Sequence, residues 1–437
     1  MLRILIALCL SVFAVAAQAE IEIKQVTSPG GIDAWVVEEP SIPFIALEIR
    51  IRGGASLDLP GKRGATNLMT ALLEEGSGDM SAQEFQTRLE NLAASFSFHA
   101  YDDSMQISAR FLTENKDEVI ALLRQALVSP RFDQTALDRV RAQVVSGIAS
   151  DAKRPNAIAS ATFNAAAFGD HPYGSSPDGT VETVNALTRQ DMIDAHRNAL
   201  VRDRLYVSVV GDTTAETVGA MLDDLLGDLP AEGPALPQDI EFGLNGGITV
   251  VDFDTPQSVA YFGQQGIKRE DEDFFAAFIL NHVLGAGGFE SRLMTEVREK
   301  RGLTYGIGTS LVPKFNAEMI LGSVSSANET IAEAIEVTRN EWARMAEDGM
   351  TAEELAEAKT YLTGEYPLRF DGNAEIASIM AGMQMIGLTP DYVVDRNAFI
   401  EAVTLEDVNR VAAELLRPED LHFVVVGKPQ GLETTQE

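Results

Sequence analysis

The chain has 437 residues, 45% of them hydrophobic, and a formal net charge of −32. Its length exceeds what one small core holds and predicts two or more domains. Because binding to phosphate needs clustered positive charge, the acidic excess argues against nucleic acid as a partner. The same charge favours solubility and, more weakly, the attraction of basic substrates or partners.

Residues 1–19 are typical of a secretory leader. Arg3 supplies a positive start, residues 4–16 form an apolar run, and Ala-Gln-Ala at 17–19 is a small-residue cleavage site. The run is shorter than the roughly 20 residues of a membrane span. Cys9, the only cysteine, lies within it, so the mature chain is predicted to have no disulfide and no thiolate metal site. We therefore expect a periplasmic or secreted protein, and no later stretch is apolar enough to cross a membrane.

The first half of the mature chain alternates strand and helix patterns. Ser81 with Glu84 forms a capping box, and Thr188 with Asp191 has the same spacing. Apolar periodicity predicts the remaining elements. Strands are expected within 21–52 and at 95–100, 104–112 and 205–210, and helices at 61–75, from 81, and at 117–127, 133–149, 156–168, 188–199 and 214–225.

A stretch rich in proline and glycine then interrupts the pattern, and a second series of elements follows. The predicted organisation is an N-terminal domain at 20–230, a linker at 231–247 and a C-terminal domain at 248–437. Strands of the second half are expected at 248–252, 258–264, 303–311, 319–324 and 421–426, and helices at 272–284, 289–300, 328–348, 352–365, 374–386 and 404–416.

The two halves form an internal repeat of roughly 200 residues. Residues 205–212 (LYVSVVGD) match residues 421–428 (LHFVVVGK), and each segment follows a helix that opens with Thr-x-x-Asp. This order of elements predicts an α+β fold with two homologous domains. In each, helices pack on one face of a mostly antiparallel sheet. The domains are expected to face one another across the linker, where a cleft is a common ligand site.

The stretch 289–312 is the strongest functional candidate. Its helix is expected to end at Gly302 and to be followed by a strand, so that Arg298 and Tyr305 flank one corner, seven positions apart. A guanidinium and a phenol brought together can grip a peptide carbonyl and stabilise an oxyanion. The alternative is that Arg298 caps the helix and Tyr305 packs in the strand. The preceding turn, residues 285–288, either lets a substrate backbone approach or is only a turn.

Other catalytic patterns are missing. The histidines are His99, His171, His196, His282 and His422, and no two are closer than 25 positions. Neither helical zinc motif, HExxH or HxxEH, is present. The sequence also lacks a Gly-x-Ser-x-Gly nucleophile motif and a phosphate-binding loop.

Several motifs nevertheless resemble the pitrilysin/insulinase (inverzincin) family of zinc peptidases. They are residues 64–76, the His-Pro-Tyr-Gly segment at 171–174, and residues 291–305. The resemblance spans nearly all of the mature chain and implies two homologous α+β domains that form half of a clamshell. Active members carry Gly-Leu-Ala-His-x-x-Glu-His in the first domain. The ligand and base positions here hold Asn67, Thr70 and Ala71, and residues 143–148, where a further glutamate ligand is expected, contain no acid. The resemblance therefore implies no competent zinc site on this chain.

Arg298 and Tyr305 match a substrate-contacting Arg/Tyr pair of the family in residue type and spacing. By resemblance the chain is similar to the non-catalytic subunit of a bacterial heterodimer, and to the subunits of mitochondrial processing peptidase. The implied partners are a homologous subunit that bears HxxEH and its zinc, and a peptide substrate. No cofactor is expected on this chain. Two alternatives stay open: a pseudoenzyme that binds or scaffolds peptides or proteins without a catalytic role, and an enzyme active alone through another metal site.

Overall fold

The computed structural model describes residues 21–435, so the predicted leader and Cys9 lie outside the described residues. The strands are β1 (Lys24–Thr27), β2 (Asp33–Glu38), β3 (Phe44–Arg52), β4 (Gly76–Ser77), β5 (Met80–Ser81), β6 (Ser95–Ala100), β7 (Ser104–Leu112), β8 (Leu205–Gly211), β9 (Gly247–Asp252), β10 (Gln257–Gln265), β11 (Ile307–Pro313), β12 (Glu318–Ala327) and β13 (His422–Gly427).

The α-helices are α1 (Ala65–Ala71), α2 (Ala82–Asn91), α3 (Lys116–Val128), α4 (Gln134–Asp151), α5 (Pro155–Phe168), α6 (Val181–Ala186), α7 (Arg189–Ala199), α8 (Ala215–Leu226), α9 (Phe274–Asn281), α10 (Ile331–Asp348), α11 (Ala352–Glu365), α12 (Asn373–Met385), α13 (Tyr392–Ala402) and α14 (Leu405–Leu415). None of the helices between residues 21 and 435 has the length and apolar character needed to cross a membrane.

The two domains are built on sheets whose strand orders match, apart from the additional edge strand β1 of the six-stranded N-terminal sheet. The N-terminal sheet runs β1-β2-β8-β3-β7-β6, and the C-terminal sheet runs β9-β13-β10-β12-β11. Within these ladders β2 pairs with β8 in parallel, as β9 does with β13, and the remaining pairs are antiparallel. Strands β8 and β13, which contain the matching sequence segments, occupy equivalent places. The predicted α+β class with two homologous, mostly antiparallel domains is confirmed.

Each domain buries one face of its sheet under its own helices. Side chains from alternate positions of β3, such as Ile45, Leu47 and Ile49, point into the N-terminal core with helix residues including Leu68 and Phe85. The C-terminal core is built in the same way around Phe262 and Phe423 with Trp342 of α10. These faces match the prediction that helices pack on one side.

The opposite face of each sheet is covered by a helix from the other domain, which the sequence does not predict. Helix α5 of the N-terminal domain packs on β10 and β13, and its Phe163 is fully buried there. Helix α12 of the C-terminal domain packs on β3 and β8, with Met380 against Trp35 and Ala46. The domains therefore exchange one helix each, and one face of each sheet is covered by a helix from the other half of the chain.

Polar contacts reinforce this junction. The Tyr173 hydroxyl donates to the Asp103 carboxylate at 2.7 Å, and burial and the adjacent Asp103 raise the pKa of Tyr173. Lys314 of the C-terminal domain reaches Asp102 at 2.6 Å and lies 4.1 Å from the centre of the Tyr173 ring. The motif at 171–174 therefore contributes a link between the domains.

Local details differ from the predictions where turn chemistry decides the boundary. The helix expected at 61–75 is α1 alone, because the Asp58 carboxylate accepts the N–H groups of Gly64 and Thr66 and fixes the start of the helix. Helices α6 and α13 were not predicted. In α13 the buried Arg396 donates to the Leu362 carbonyl at 2.6 Å, so that helix depends on a tertiary contact more than on an apolar stripe.

Candidate functional site

The segment that carries Arg298 is helical but in an unexpected register. Residues Met294–Glu299 form a π-helix, a second π-helical turn spans His282–Ala286, and Gly288–Glu290 is a 3₁₀ turn. The Lys300 N–H donates to the Thr295 carbonyl at 3.0 Å, five residues back. The α-helix expected at 289–300 is therefore wrong in register. Single π-turns are rare and occur often at functional sites.

Arg298 is half-buried in the last turn of this helix, where a cation suits the helix dipole. Its guanidinium lies 4.5 Å from the centre of the Phe289 ring, and Phe289 is itself 63% exposed. The carbonyl of Glu296 in the same helix accepts from Arg301 at 2.7 Å. A guanidinium over an exposed ring keeps N–H donors available for a ligand.

Tyr305 precedes strand β11 and is 86% exposed. The backbone on either side of it is held in place. The Ser326 hydroxyl donates to the Leu303 carbonyl at 2.6 Å, and the Thr304 hydroxyl lies 2.7 Å from the Ser325 carbonyl and accepts from the Gly306 N–H at 3.0 Å. A tyrosine that projects into solvent from a pinned turn is not a packing residue, so that interpretation of Tyr305 is wrong.

The two side chains flank one tight turn. The Gly302 N–H donates to the Arg298 carbonyl at 2.8 Å, and the Leu303 N–H donates to the Val297 carbonyl at 3.0 Å. Gly302 has a φ of +64°, which favours glycine at this position. Across the part of the chain that the structure describes, no hydrogen bond joins Arg298 to Tyr305. The corner thus presents a guanidinium and a phenol whose hydrogen-bonding groups are free of each other.

The positions that correspond to the zinc motif are arranged as ordinary helix residues. The Asn67 amide donates to the Asp178 carboxylate at 2.8 Å. The Thr70 hydroxyl is buried and donates to the Thr66 carbonyl at 2.7 Å, and Ala71 has no donor atom in its side chain. Zinc in proteins is held by thiolate, imidazole or carboxylate ligands, so these three residues do not fit the metal.

The expected third ligand also has no counterpart nearby. Residues 143–148 lie on α4, and none carries a carboxylate. Two carboxylates, Glu74 and Glu75, follow α1. Glu75 pairs with Arg139 of α4. Burial of Glu74, together with the neighbouring Glu75, raises the pKa of Glu74. Within residues 21–435 no cluster of three His, Cys, Asp or Glu side chains has metal-binding geometry.

Sequence reasoning missed the residues that hold the Arg298 corner. Phe289 carries no signal in the sequence, because a ring nine positions before an arginine has no helical or strand relationship to it. Glu296 did leave a signal, since its spacing to Lys300 is that of a helical ion pair. The Glu296 carboxylate accepts from Lys300 and from Arg301, each at 2.7 Å.

Two family models match the chain in succession. Residues 35–180 match the insulinase model of peptidase family M16, and residues 186–362 match the model described as the peptidase M16 inactive domain. A relative from Helicobacter pylori named non-peptidase homolog YmxG is 27% identical over 432 residues, which cover 98% of each chain. One from Streptomyces coelicolor, named uncharacterized zinc protease SCO5738, is 26% identical over 408 residues, covering 90% of this chain and 87% of the relative.

Solved structures agree with the models. A structure from Pseudomonas fluorescens, described as a peptidase M16 inactive domain, matches with a TM-score of 0.88 and 25% identity over 95% of this chain and 100% of that chain. A Helicobacter pylori structure, described as a protease, matches with a TM-score of 0.83 at 18% identity and so supports the fold alone. Since the two models match residues 35–180 and 186–362 and the solved fold extends over nearly the whole chain, the chain belongs to the insulinase family, peptidase family M16.

Proposed function

We propose that this chain is the non-catalytic subunit of a heterodimeric zinc endopeptidase. In this proposal a homologous partner bears the HxxEH motif and its zinc, and this chain binds the peptide substrate and completes the active site. Residues 1–19 suggest that the complex works in the periplasm or outside the cell. The names of the Helicobacter relative and of the second family model support a subunit that does not cleave peptides alone.

The observation that carries the proposal is the Arg298–Tyr305 corner. A side chain that is kept for packing is buried, whereas Tyr305 is 86% exposed, and the half-buried Arg298 places its guanidinium over the exposed Phe289 ring. In contact with a peptide, the Arg298 guanidinium would donate to a substrate carbonyl. The Tyr305 hydroxyl would donate to the oxygen that gains negative charge when water attacks the scissile carbonyl. Both roles need an external ligand.

The loss of metal-binding chemistry and the retention of this corner separate two tasks. Zinc and a general base activate water, and the residues at 67, 70 and 71 offer neither. Positioning of the peptide and stabilisation of the oxyanion need only fixed donors. In the proposed complex this chain performs the second task and its partner performs the first.

The test is reconstitution with an HxxEH-bearing homologue from the same organism. Peptide cleavage by the mixture should exceed the sum of the separate chains, and Arg298→Ala or Tyr305→Phe should lower the turnover of the complex. Loss of one oxyanion donor typically costs about a hundredfold in rate, or roughly 3 kcal/mol. Assembly, measured by sedimentation or gel filtration, should not change.

Matched controls separate the site from the surface in general. Arg417→Ala and Tyr361→Phe alter an arginine and a tyrosine that are also more than half exposed on the C-terminal domain, and both should leave turnover unchanged. Full activity in both site variants would refute the catalytic role and favour a scaffold that binds peptides or proteins. Stoichiometric zinc in the purified chain, with activity in the absence of a partner, would refute the proposal as a whole.

A further inference from the structure

A buried carboxylate lies at the centre of the helical segment that presents Arg298. Glu296 is only 7% exposed. Its carboxylate accepts from Lys300 Nζ and Arg301 Nη1, both at 2.7 Å, and Arg344 Nη2 of α10 approaches at 3.4 Å. The hydrogen bonds from Lys300 and Arg301 lower the pKa of Glu296 to about 2. The group is therefore an anion throughout the physiological range.

The spacing of these partners matters more than their number. In an α-helix of 3.6 residues per turn, position i+4 lies beside position i, but position i+5 lies on a different face. The i→i+5 register of a π-helix brings position i+5 close to position i. Glu296 binds both Lys300 (i+4) and Arg301 (i+5), and Arg301 also donates to the Glu296 carbonyl at 2.7 Å. Lys300 and Arg301 follow the π-helix, which ends at Glu299, so the two contacts hold the end of the π-turn against the Glu296 carboxylate.

The segment is tied to neighbouring helices at its start and at its centre. At its start Arg292 donates to the Glu354 carboxylate of α11 at 2.6 and 2.8 Å and to the Gly349 carbonyl at 2.9 Å. At its centre Arg344 of α10 bridges Glu296 and Glu341. Arg298 takes no part in this network, because its guanidinium lies over Phe289.

We propose that Glu296 is a positioning residue: it holds the π-turn and thereby sets the direction of Arg298. The inference rests on the proposed function, but whether Glu296 holds the π-turn can be tested on the isolated chain. The competing explanation is that the ion pairs only stabilise the surface, where such pairs contribute little. The two explanations differ in what happens to the amides of the π-turn and to the ring under Arg298.

The first experiment measures hydrogen exchange in the full-length chain. Glu296→Gln should speed exchange of the Lys300 and Leu303 amides by about tenfold or more, because their acceptors lie in the turn that loses its anchor. Glu299→Gln, an exposed neighbour in the same segment, is the matched control and should leave both amides unchanged. If Glu296→Gln proves too unstable to purify, Arg301→Ala removes the Nη1 atom that donates to both the Glu296 carbonyl and the Glu296 carboxylate. It should shift the same amides. Unchanged exchange in folded variants would overturn the inference.

The second readout follows Arg298 itself. In a Phe289→Trp background the new indole lies under the Arg298 guanidinium. Its emission is obtained by subtracting the spectrum of the same chain with phenylalanine at position 289. Glu296→Gln should change this emission and Glu299→Gln should not. An indole spectrum that is identical in both variants would contradict the positioning role.

In the reconstituted complex the effect should pass through Arg298. Glu296→Gln should lower kcat by about tenfold, and should lower it no further when Arg298 is already alanine, because coupled residues are not additive. Additive losses would overturn the inference and leave the proposed function intact. Failure of the chain to activate any HxxEH partner would refute the proposed function, while exchange and emission would still decide whether Glu296 holds the corner.

Discussion

The exchange of helices between the domains predicts that one buried ring stabilises both domains together. Phe163 belongs to α5 of the N-terminal domain, is fully buried, and packs in the face of the C-terminal sheet. Its ring centre lies 5.4 Å from that of Tyr261 on β10 and 5.9 Å from that of Phe242 in the segment between the domains. The Phe163→Ala variant therefore removes a contact made by one domain and needed by the other.

The expected magnitude is large. A buried phenylalanine takes about 150–250 Å² out of water, and at about 25 cal/mol/Å² this corresponds to roughly 4–6 kcal/mol. Phe→Ala changes at buried sites typically cost about 3–5 kcal/mol. We expect the free energy of unfolding to fall by about 4 kcal/mol. Phe289→Ala is the matched control: because Phe289 is mostly exposed, the change should be below about 1 kcal/mol.

The chain provides a reporter for each domain. It has two tryptophans: Trp35 lies on β2 of the N-terminal sheet and Trp342 on α10 of the C-terminal domain. Urea unfolding of single-tryptophan variants, Trp342→Phe and Trp35→Phe, follows one domain at a time. Phe163→Ala should lower both midpoints together with unchanged slopes. A shift in the Trp35 signal alone, with Trp342 unaffected, would refute the coupling of the domains through the exchanged helices.

Two further predictions concern ionisable groups. Tyr173→Phe removes the donor to the half-buried Asp103 carboxylate and should lower the free energy of unfolding by about 1–3 kcal/mol. Combining it with Asp103→Asn should restore part of the loss in urea unfolding, and simple additivity would contradict the pairing. The pKa of Glu296 is lowered from its usual 4.5 to about 2, chiefly by the hydrogen bonds from Lys300 and Arg301. A depressed pKa in the folded state means that the stabilisation is present above pH 4.5 and is lost as the pH falls towards 2. The stability difference between the parent and Glu296→Gln should therefore shrink over that range, and a constant difference would contradict this account.

Much of the fold could be predicted because the two halves of the sequence have the same order of helix and strand patterns. The capping boxes at Ser81, Thr188 and Thr404 begin α2, α7 and α14 as expected, with each hydroxyl accepting the N–H three residues on. Such signals are local: a polar side chain satisfies a free N–H within its own turn. Strands β8 and β13 could also be predicted from the local sequence, because both are buried apolar runs that end at glycine.

The parts that could not be predicted depend on distant contacts. Helix α5 is rich in alanine and weakly amphipathic, which indicates burial on more than one side but does not identify the covering sheet. The alternation of residues 303–311 extended the predicted strand through Tyr305. The contacts of Leu303 and Thr304 with Ser326 and Ser325 take that residue out of the ladder. At the π-helix Met294–Glu299, Arg344, which lies 48 positions beyond Glu296, approaches the Glu296 carboxylate at 3.4 Å, and the local sequence does not reveal this contact.

The exchanged helices also explain why a domain without metal ligands keeps its complete fold. If the chain serves only to present Arg298 and Tyr305, the C-terminal domain alone would carry the relevant residues. Yet the C-terminal sheet needs α5 to cover Val424 and Val426, and α12 needs the N-terminal sheet to bury Met380. The Asn67 amide of the N-terminal domain donates to the Asp178 carboxylate, so this position is satisfied without a metal. The N-terminal domain cannot lose its sheet or α5 without exposing the core of the domain that holds the Arg/Tyr corner.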